Sequence, residues 1–135
     1  MADPESLQTR AIPGMRALRM TVRSAHVVAV ATYFGGHVYG ISPERLGPAL
    51  LAVLGTGAAF VLVEVVRAPA WMVQVRGAAA LFKVGLMLGA VAWPPLGIPL
   101  LALALVVGVV VSHMPGRYRY YSFLHRRVVG HQDKG

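Results

Sequence analysis

Apolar residues are concentrated in four runs of 18 to 22 residues, which are separated by links rich in proline and glycine. At about 1.5 Å of rise per residue, a helix of this length crosses the roughly 30 Å hydrocarbon core of a bilayer. The runs cover residues 22–40, 47–66, 72–93 and 96–113. This pattern predicts four membrane-spanning helices.

The links between the runs are "ISPERLGP", "RAPAW" and "WPPLGIP". Proline removes a backbone donor and disfavours helix in the residue before it, so each link marks a helix end. Because the links are short, consecutive helices should be antiparallel neighbours. The predicted fold is an all-α, integral-membrane, antiparallel four-helix bundle over residues 22–113. A basic interfacial segment at 1–21 precedes it, and a basic, aromatic tail at 114–135 follows.

Basic residues mark one side of the membrane. The amino-terminal segment, the second link and the tail are rich in arginine, whereas the first link has only Arg45 beside Glu44 and the third link has no charge. By the positive-inside rule, both termini are predicted to be cytoplasmic. The pattern is typical of a multi-pass protein of the bacterial cytoplasmic (inner) membrane.

Composition supports the membrane class: 56% of residues are hydrophobic, 13% are charged, and the mean hydropathy is +0.61. This hydrophobicity excludes a disordered chain. The chain has no cysteine, which excludes a disulfide framework and covalent attachment of c-type haem.

The net charge of +8 predicts anionic lipid headgroups and partner membrane subunits as contacts. Nucleic acid is not expected, because nearly all basic residues lie within a few turns of a helix end. Two tryptophans bracket the third run, as interfacial anchors do. The candidate residues for lipid or partner contact are Arg16, Arg19, Arg23, Arg117, Arg119, Trp71 and Trp93.

A polar stripe runs along the first predicted helix. His26 and His37 are 11 residues apart, which leaves them only about 20° apart around a helix, and Tyr33 lies seven residues after His26. Polar side chains in a span face the bundle interior or a partner. The two histidines could bond to backbone carbonyls or to hydroxyls such as those of Thr32 and Thr56, contact a cofactor, or relay protons.

Lys83 lies near the midpoint of the third predicted helix. An ammonium at that depth costs about 2.5–3.5 kcal/mol, so it needs a polar partner. Glu64 is predicted to pair with Arg67 or Arg76. The polar partner of Lys83 would then be a ligand, a proton-transferring water chain or another protein chain. Lys83 is therefore the candidate catalytic residue.

The segments "HVVAVATYFGG" and "KVGLMLG" suggest a family. They resemble a motif of the superfamily that contains the copper resistance D membrane domain and the small membrane-bound bacterial protoporphyrinogen oxidase. The resemblance implies a helical bundle that binds haem b, with His26 as a haem ligand and Lys83 as a functional lysine. Tyr33 stands where a tryptophan is common in that superfamily.

A haem b requires one or two axial ligands from facing helices. His26 and His113 are predicted at comparable depth near the cytoplasmic side, so both are candidate metal ligands. His37 and Tyr33 are further candidates for cofactor contact. For copper, His113 with Met114 and Met20 offers a weaker set of soft ligands.

Two functional hypotheses follow from these residues. The first is a haem b-associated redox or electron-transfer protein of the inner membrane. The second is a non-catalytic accessory or structural subunit of a larger membrane complex, respiratory or photosynthetic. The sequence does not decide whether the protein is an enzyme.

Overall fold

The computed structural model describes residues 12–128 and is mainly helical, as predicted for an all-α protein. Five α-helices and two short 3-10 helices are followed by a small hairpin of two-residue strands. In chain order they are α1 (Met15–Val38), α2 (Pro43–Arg67), a 3-10 helix (Pro69–Val73), α3 (Val75–Ala92), a 3-10 helix (Pro94–Leu96), α4 (Gly97–His113), α5 (Gly116–Arg119), β1 (Tyr121–Ser122) and β2 (Arg127–Val128).

Three helical segments are long and apolar enough to cross a membrane: Pro43–Arg67, Val75–Ala92 and Pro94–His113. They confirm the membrane character of the last three predicted runs. Helix α1 is not among them, although its 24 residues exceed the predicted length. It begins seven residues before the predicted run, and its additional turns carry arginines that lower its apolar character.

The described chain forms two compact units, residues 12–64 and residues 65–128, and the boundary lies near the end of α2. We refer to them as the first and the second unit. The first contains α1 and nearly all of α2. The second contains α3, α4 and the segment that follows them.

In the first unit, α1 and α2 are antiparallel. Arg19 pairs with Glu64, His26 with Thr56, and Gly36 lies against Leu46, so positions that advance along α1 recede along α2. A Cβ at Gly36 would collide with the Leu46 side chain, which shows how closely the helices approach there. Such close approach through small residues is typical of packed membrane helices.

The end of α1 is closed by a Schellman motif. Gly40 adopts a left-handed φ of 67°, which glycine tolerates without a Cβ penalty. The N–H of Ile41 donates to the Gly36 carbonyl at 2.9 Å, and the N–H of Gly40 donates to the His37 carbonyl at 3.2 Å. This turn reverses the chain into α2.

In the second unit, α3 and α4 form another antiparallel pair. Lys83 lies against Gly108, and Gly89 lies against Leu100, where an added Cβ would be 3.3 Å from the leucine Cδ1. Gly85, the other glycine of the GxxxG sequence on α3, has open space where its Cβ would be. Only one of the two glycines therefore contacts the neighbouring helix in this unit.

The segment after α4 folds back onto the start of α3. Ser122 forms an antiparallel bridge with Gln74, and the N–H of Phe123 donates to the Val73 carbonyl at 3.0 Å. Gln74 and Ser122 are almost completely buried, at 1% and 0% exposure. Part of the predicted tail thus packs against the start of α3. Residues 129–135 lie outside the described chain.

Candidate functional site

The polar stripe predicted on α1 also includes Arg19, which lies closer to the amino terminus than His26. Arg19, His26 and Tyr33 are spaced seven residues apart, or about two helical turns, and therefore share a face. Arg19 and His26 make polar contacts with α2, and Tyr33 is 5% exposed. The stripe therefore faces protein.

At the amino-terminal end of the stripe, Arg19 forms an ion pair with Glu64. Arg19 Nε lies 3.5 Å from Glu64 Oε1, and the Glu64 side chain is 3% exposed, against 32% for Arg19. Arg67 and Arg76 were the predicted partners of Glu64, and Arg19 was not predicted. Those arginines are close to Glu64 along the chain, whereas the antiparallel packing of α1 on α2 places Arg19 beside it.

His26 joins the two helices. Its Nδ1 lies 3.0 Å from Thr56 Oγ1, and the Thr56 hydroxyl donates its one hydrogen to the Ala52 carbonyl at 2.6 Å. With the hydroxyl hydrogen on that carbonyl, the hydroxyl oxygen accepts from His26 Nδ1–H, and the lone pair of the neutral ring is on Nε2. Gly57 provides room for the imidazole, since a Cβ there would be 3.1 Å from His26 Cε1.

The other predicted histidines bond within their own helices. His37 Nδ1 donates to the Tyr33 carbonyl at 3.0 Å, and the two rings meet edge to face with centroids 4.5 Å apart. His113 Nδ1 donates to the Val109 carbonyl at 2.9 Å near the end of α4. Thus Tyr33 and His37 lie together in the first unit, whereas His113 belongs to the second.

Lys83 is half-buried in the middle of α3 and extends towards α4. A Cβ built on Gly108 would lie 3.7 Å from Lys83 Nζ and 3.8 Å from its Cδ. A methyl group at Gly108 would thus be in ordinary van der Waals contact with the lysine side chain. The amine therefore lies beside α4.

A second polar cluster lies where the end of the chain meets α3. Arg76 Nε donates to Gln74 Oε1 at 2.7 Å, and Arg76 Cζ is 4.6 Å from the centroid of the Tyr120 ring. Arg119 Cζ is 5.0 Å from the same centroid, and Arg119 Nη1 donates to the Ser112 carbonyl at 3.1 Å. Two guanidinium groups thus contact one tyrosine ring. We call Gln74, Arg76, Arg119 and Tyr120 the arginine–tyrosine cluster.

Arg119 was predicted to contact lipid or a partner, but this cluster was not predicted. The sequence shows the alternation "RYRYY" after α4. Its contact with Arg76 could not be predicted, because the two segments are more than 40 residues apart along the chain. The other predicted contact residues differ in exposure. Arg16, Arg23, Arg117 and Trp93 are exposed, while Trp71 is only 5% exposed, so its ring contacts protein instead of lipid.

Within residues 12–128, no group of three or more His, Cys, Asp or Glu side chains is placed to hold a metal ion. Comparison with protein-family models, with curated proteins and with solved structures finds no match to this chain. The resemblance to the copper resistance D superfamily stays a prediction.

Proposed function

We propose that α1 is a fourth membrane span and that both termini are cytoplasmic in a bacterial inner membrane. Helix α1 packs along most of α2, which is itself long and apolar enough to cross a membrane. The contacts are Arg19 with Glu64, His26 with Thr56, and Gly36 with Leu46. The 24 residues of α1 extend for about 36 Å, which is sufficient to cross. Two of its least apolar groups, Arg19 and His26, contact α2.

Cysteine labelling of this cysteine-free chain tests the topology. Single cysteines would be placed at the exposed positions Ile12, Ser42 and Leu124. In intact cells, a membrane-impermeant maleimide should label Ser42→Cys, and it should label Ile12→Cys and Leu124→Cys only after permeabilisation. Labelling of Ile12→Cys and Ser42→Cys from the same side would contradict a spanning α1.

For the function itself, the accessory or structural membrane subunit is the better-supported candidate. The observation that carries it is that polar side chains of the helices contact a neighbouring helix of the same chain. Glu64 binds Arg19, His26 binds Thr56, and Lys83 lies against Gly108. Such contacts stabilise helix packing. Only 11% of each apolar window is buried within the chain, which leaves wide faces for lipid and for helices of partner subunits.

A haem b-associated redox protein is the second candidate, and one observation favours it. The bond from His26 Nδ1–H to Thr56 fixes the ring and directs its lone pair to Nε2, as outer hydrogen bonds do for metal-ligating histidines. The donor chemistry therefore fits one axial ligand, and a bound haem would supply one-electron transfer. Gly57 and the rest of the α1–α2 contact would hold the imidazole in place.

Absorption and size measurements on mildly solubilised protein discriminate between the two candidates. For an accessory subunit, we expect no Soret band and migration in an assembly larger than the 14.4 kDa chain. A Soret band that is lost in His26→Ala and shifted in Thr56→Val would overturn that proposal in favour of haem binding. Colourless, monomeric protein would contradict both candidates.

A further inference from the structure

We propose that one face of the β1–β2 hairpin inserts into the interfacial layer of a membrane that contains anionic lipid. The face consists of Tyr121, Phe123 and Val128, and we call it the outer face of the hairpin. It would anchor the segment after α4 on the side of the membrane where α3 begins. The proposal rests on α3 and α4 crossing the membrane, and it depends neither on α1 nor on the accessory-subunit and haem candidates.

Strand pairing brings the three side chains to one side of the hairpin. Tyr121 lies opposite Val128, and residues directly opposed in an antiparallel pair share a side. Side chains alternate along a strand, and Ser122 is completely buried, so Tyr121 and Phe123 point outwards. Their rings meet edge to face with centroids 6.1 Å apart. All three side chains are exposed, which leaves an aromatic and apolar face without a cover in the described chain.

Backbone contacts hold the hairpin at the end of a helix that can span. Ser122 bridges to Gln74, and the N–H of Phe123 donates to the Val73 carbonyl at 3.0 Å. These partners immediately precede α3, which begins at Val75. The interfacial layer on each side of a bilayer is about 5–7 Å thick. A hairpin bonded to the residues before a span therefore lies at the depth of this layer.

The exposure of the two tryptophans supports an aromatic anchor at this position. Aromatic side chains are enriched at both interfaces of membrane proteins. Trp93, which follows α3, is 67% exposed and can serve as the anchor at that end. Trp71, which precedes α3, is only 5% exposed. The rings of Tyr121 and Phe123 are exposed at the same end of α3 as Trp71, so the hairpin supplies the aromatic surface that Trp71 does not.

Charge identifies anionic lipid as the occupant. Arg117, Arg126 and Arg127 are exposed in the same segment. Residues 65–128 contain seven Lys or Arg and no Asp or Glu. Basic residues at a membrane surface are attracted to anionic headgroups, and apolar side chains beside them enter the boundary with the acyl chains. The hairpin combines both features.

The backbone of the hairpin turn also suits an apolar layer, where donors must be satisfied by the protein. The N–H of Phe123 is bonded to the Val73 carbonyl. The N–H of His125 donates to Ser122 Oγ at 3.3 Å. Insertion therefore leaves neither of these donors without an acceptor.

Fluorescence quenching on the full, cysteine-free chain tests the insertion. Bimane would be attached to Phe123→Cys, and the protein placed in phosphatidylcholine nanodiscs with and without phosphatidylglycerol. A lipid with a doxyl group near the headgroup and aqueous iodide are the two quenchers. Arg127→Cys is the matched control, because Arg127 is exposed on the opposite side of the same hairpin. We expect the doxyl lipid to quench the Phe123→Cys label about twofold or more above the control, and iodide to quench it less.

The outcomes separate a lipid anchor from other occupants. Equal quenching at the two positions, by either quencher, would overturn the insertion of this face. A Phe123→Cys label that is shielded from both the doxyl lipid and iodide would show that protein covers the face, and would also overturn the proposal. Equal doxyl quenching with and without phosphatidylglycerol would overturn the role of anionic lipid. Should Phe123→Cys fail to fold by circular dichroism, Val128→Cys on the same face decides by the same comparison.

Discussion

Replacing Glu64 by alanine is expected to destabilise the protein by about 3 kcal/mol, because it breaks an ion pair whose carboxylate is buried. Glu64 is 3% exposed and its carboxylate lies 3.5 Å from Arg19 Nε. The substitution leaves a guanidinium that is about one-third exposed beside an apolar methyl group, together with unfilled volume. The measurement is the free energy of unfolding in mixed micelles, followed by circular dichroism during titration with a denaturing detergent.

Glu44→Ala is the matched control for this prediction. Glu44 lies in the first turn of the same helix and is exposed, so its loss should change stability by no more than about 0.5 kcal/mol. A double-mutant cycle with Arg19→Met would then isolate the pair, with an expected coupling of about 1 kcal/mol or more. Equal effects of the two glutamate substitutions would show that the ion pair does not stabilise the α1–α2 contact.

The second large effect is expected at Gly77, in the first turn of α3. A Cβ at this position would overlap the Trp71 carbonyl oxygen and lie 3.0 Å from Met72 Cα. Both neighbours are backbone atoms of the preceding 3-10 helix, so a side-chain rotation cannot relieve the clash. Gly77→Ala should therefore destabilise the second unit by about 1–3 kcal/mol, which is typical of overpacking.

Gly85→Ala on the same helix is the control for Gly77→Ala. Nothing lies within 4 Å of the added Cβ at Gly85, and alanine is the better helix former. We expect Gly85→Ala to be neutral or slightly stabilising in the same unfolding measurement. If Gly77→Ala were equally neutral, the close contact between α3 and the Pro69–Val73 helix would not limit stability.

The hydrophobic pattern was sufficient to predict most helices. Spans over α2, α3 and α4 follow from runs of apolar residues that end at proline, because bilayer thickness and backbone hydrogen bonding leave few other solutions. The cost of exposing an ammonium to lipid also identified Lys83 as a residue that needs a polar partner. Helix α1 was harder to delimit, since its arginines interrupt the apolar run without interrupting the helix.

Thr56 was named from the sequence as a possible partner of the histidines, and His26 bonds to it, but other partners of the polar side chains could not be predicted in the same way. The predicted partners of Glu64, Arg67 and Arg76, follow it within 12 positions, whereas Arg19, with which it forms an ion pair, lies 45 positions away and was not predicted. The arginine–tyrosine cluster was missed for the same reason. Arg76 and Tyr120 meet only because the segment after α4 returns to the start of α3.

The sequence by itself determined that this is a helical membrane protein and which of its residues are too polar for lipid. Those properties depend on the local composition of each helix and on the thickness of a bilayer. Only the tertiary structure decided that Thr56 accepts from His26, that Glu64 binds Arg19 and that Arg119 shares a tyrosine with Arg76. These contacts depend on the register between antiparallel helices and on the return of the chain end, which are set by packing over the whole of each unit.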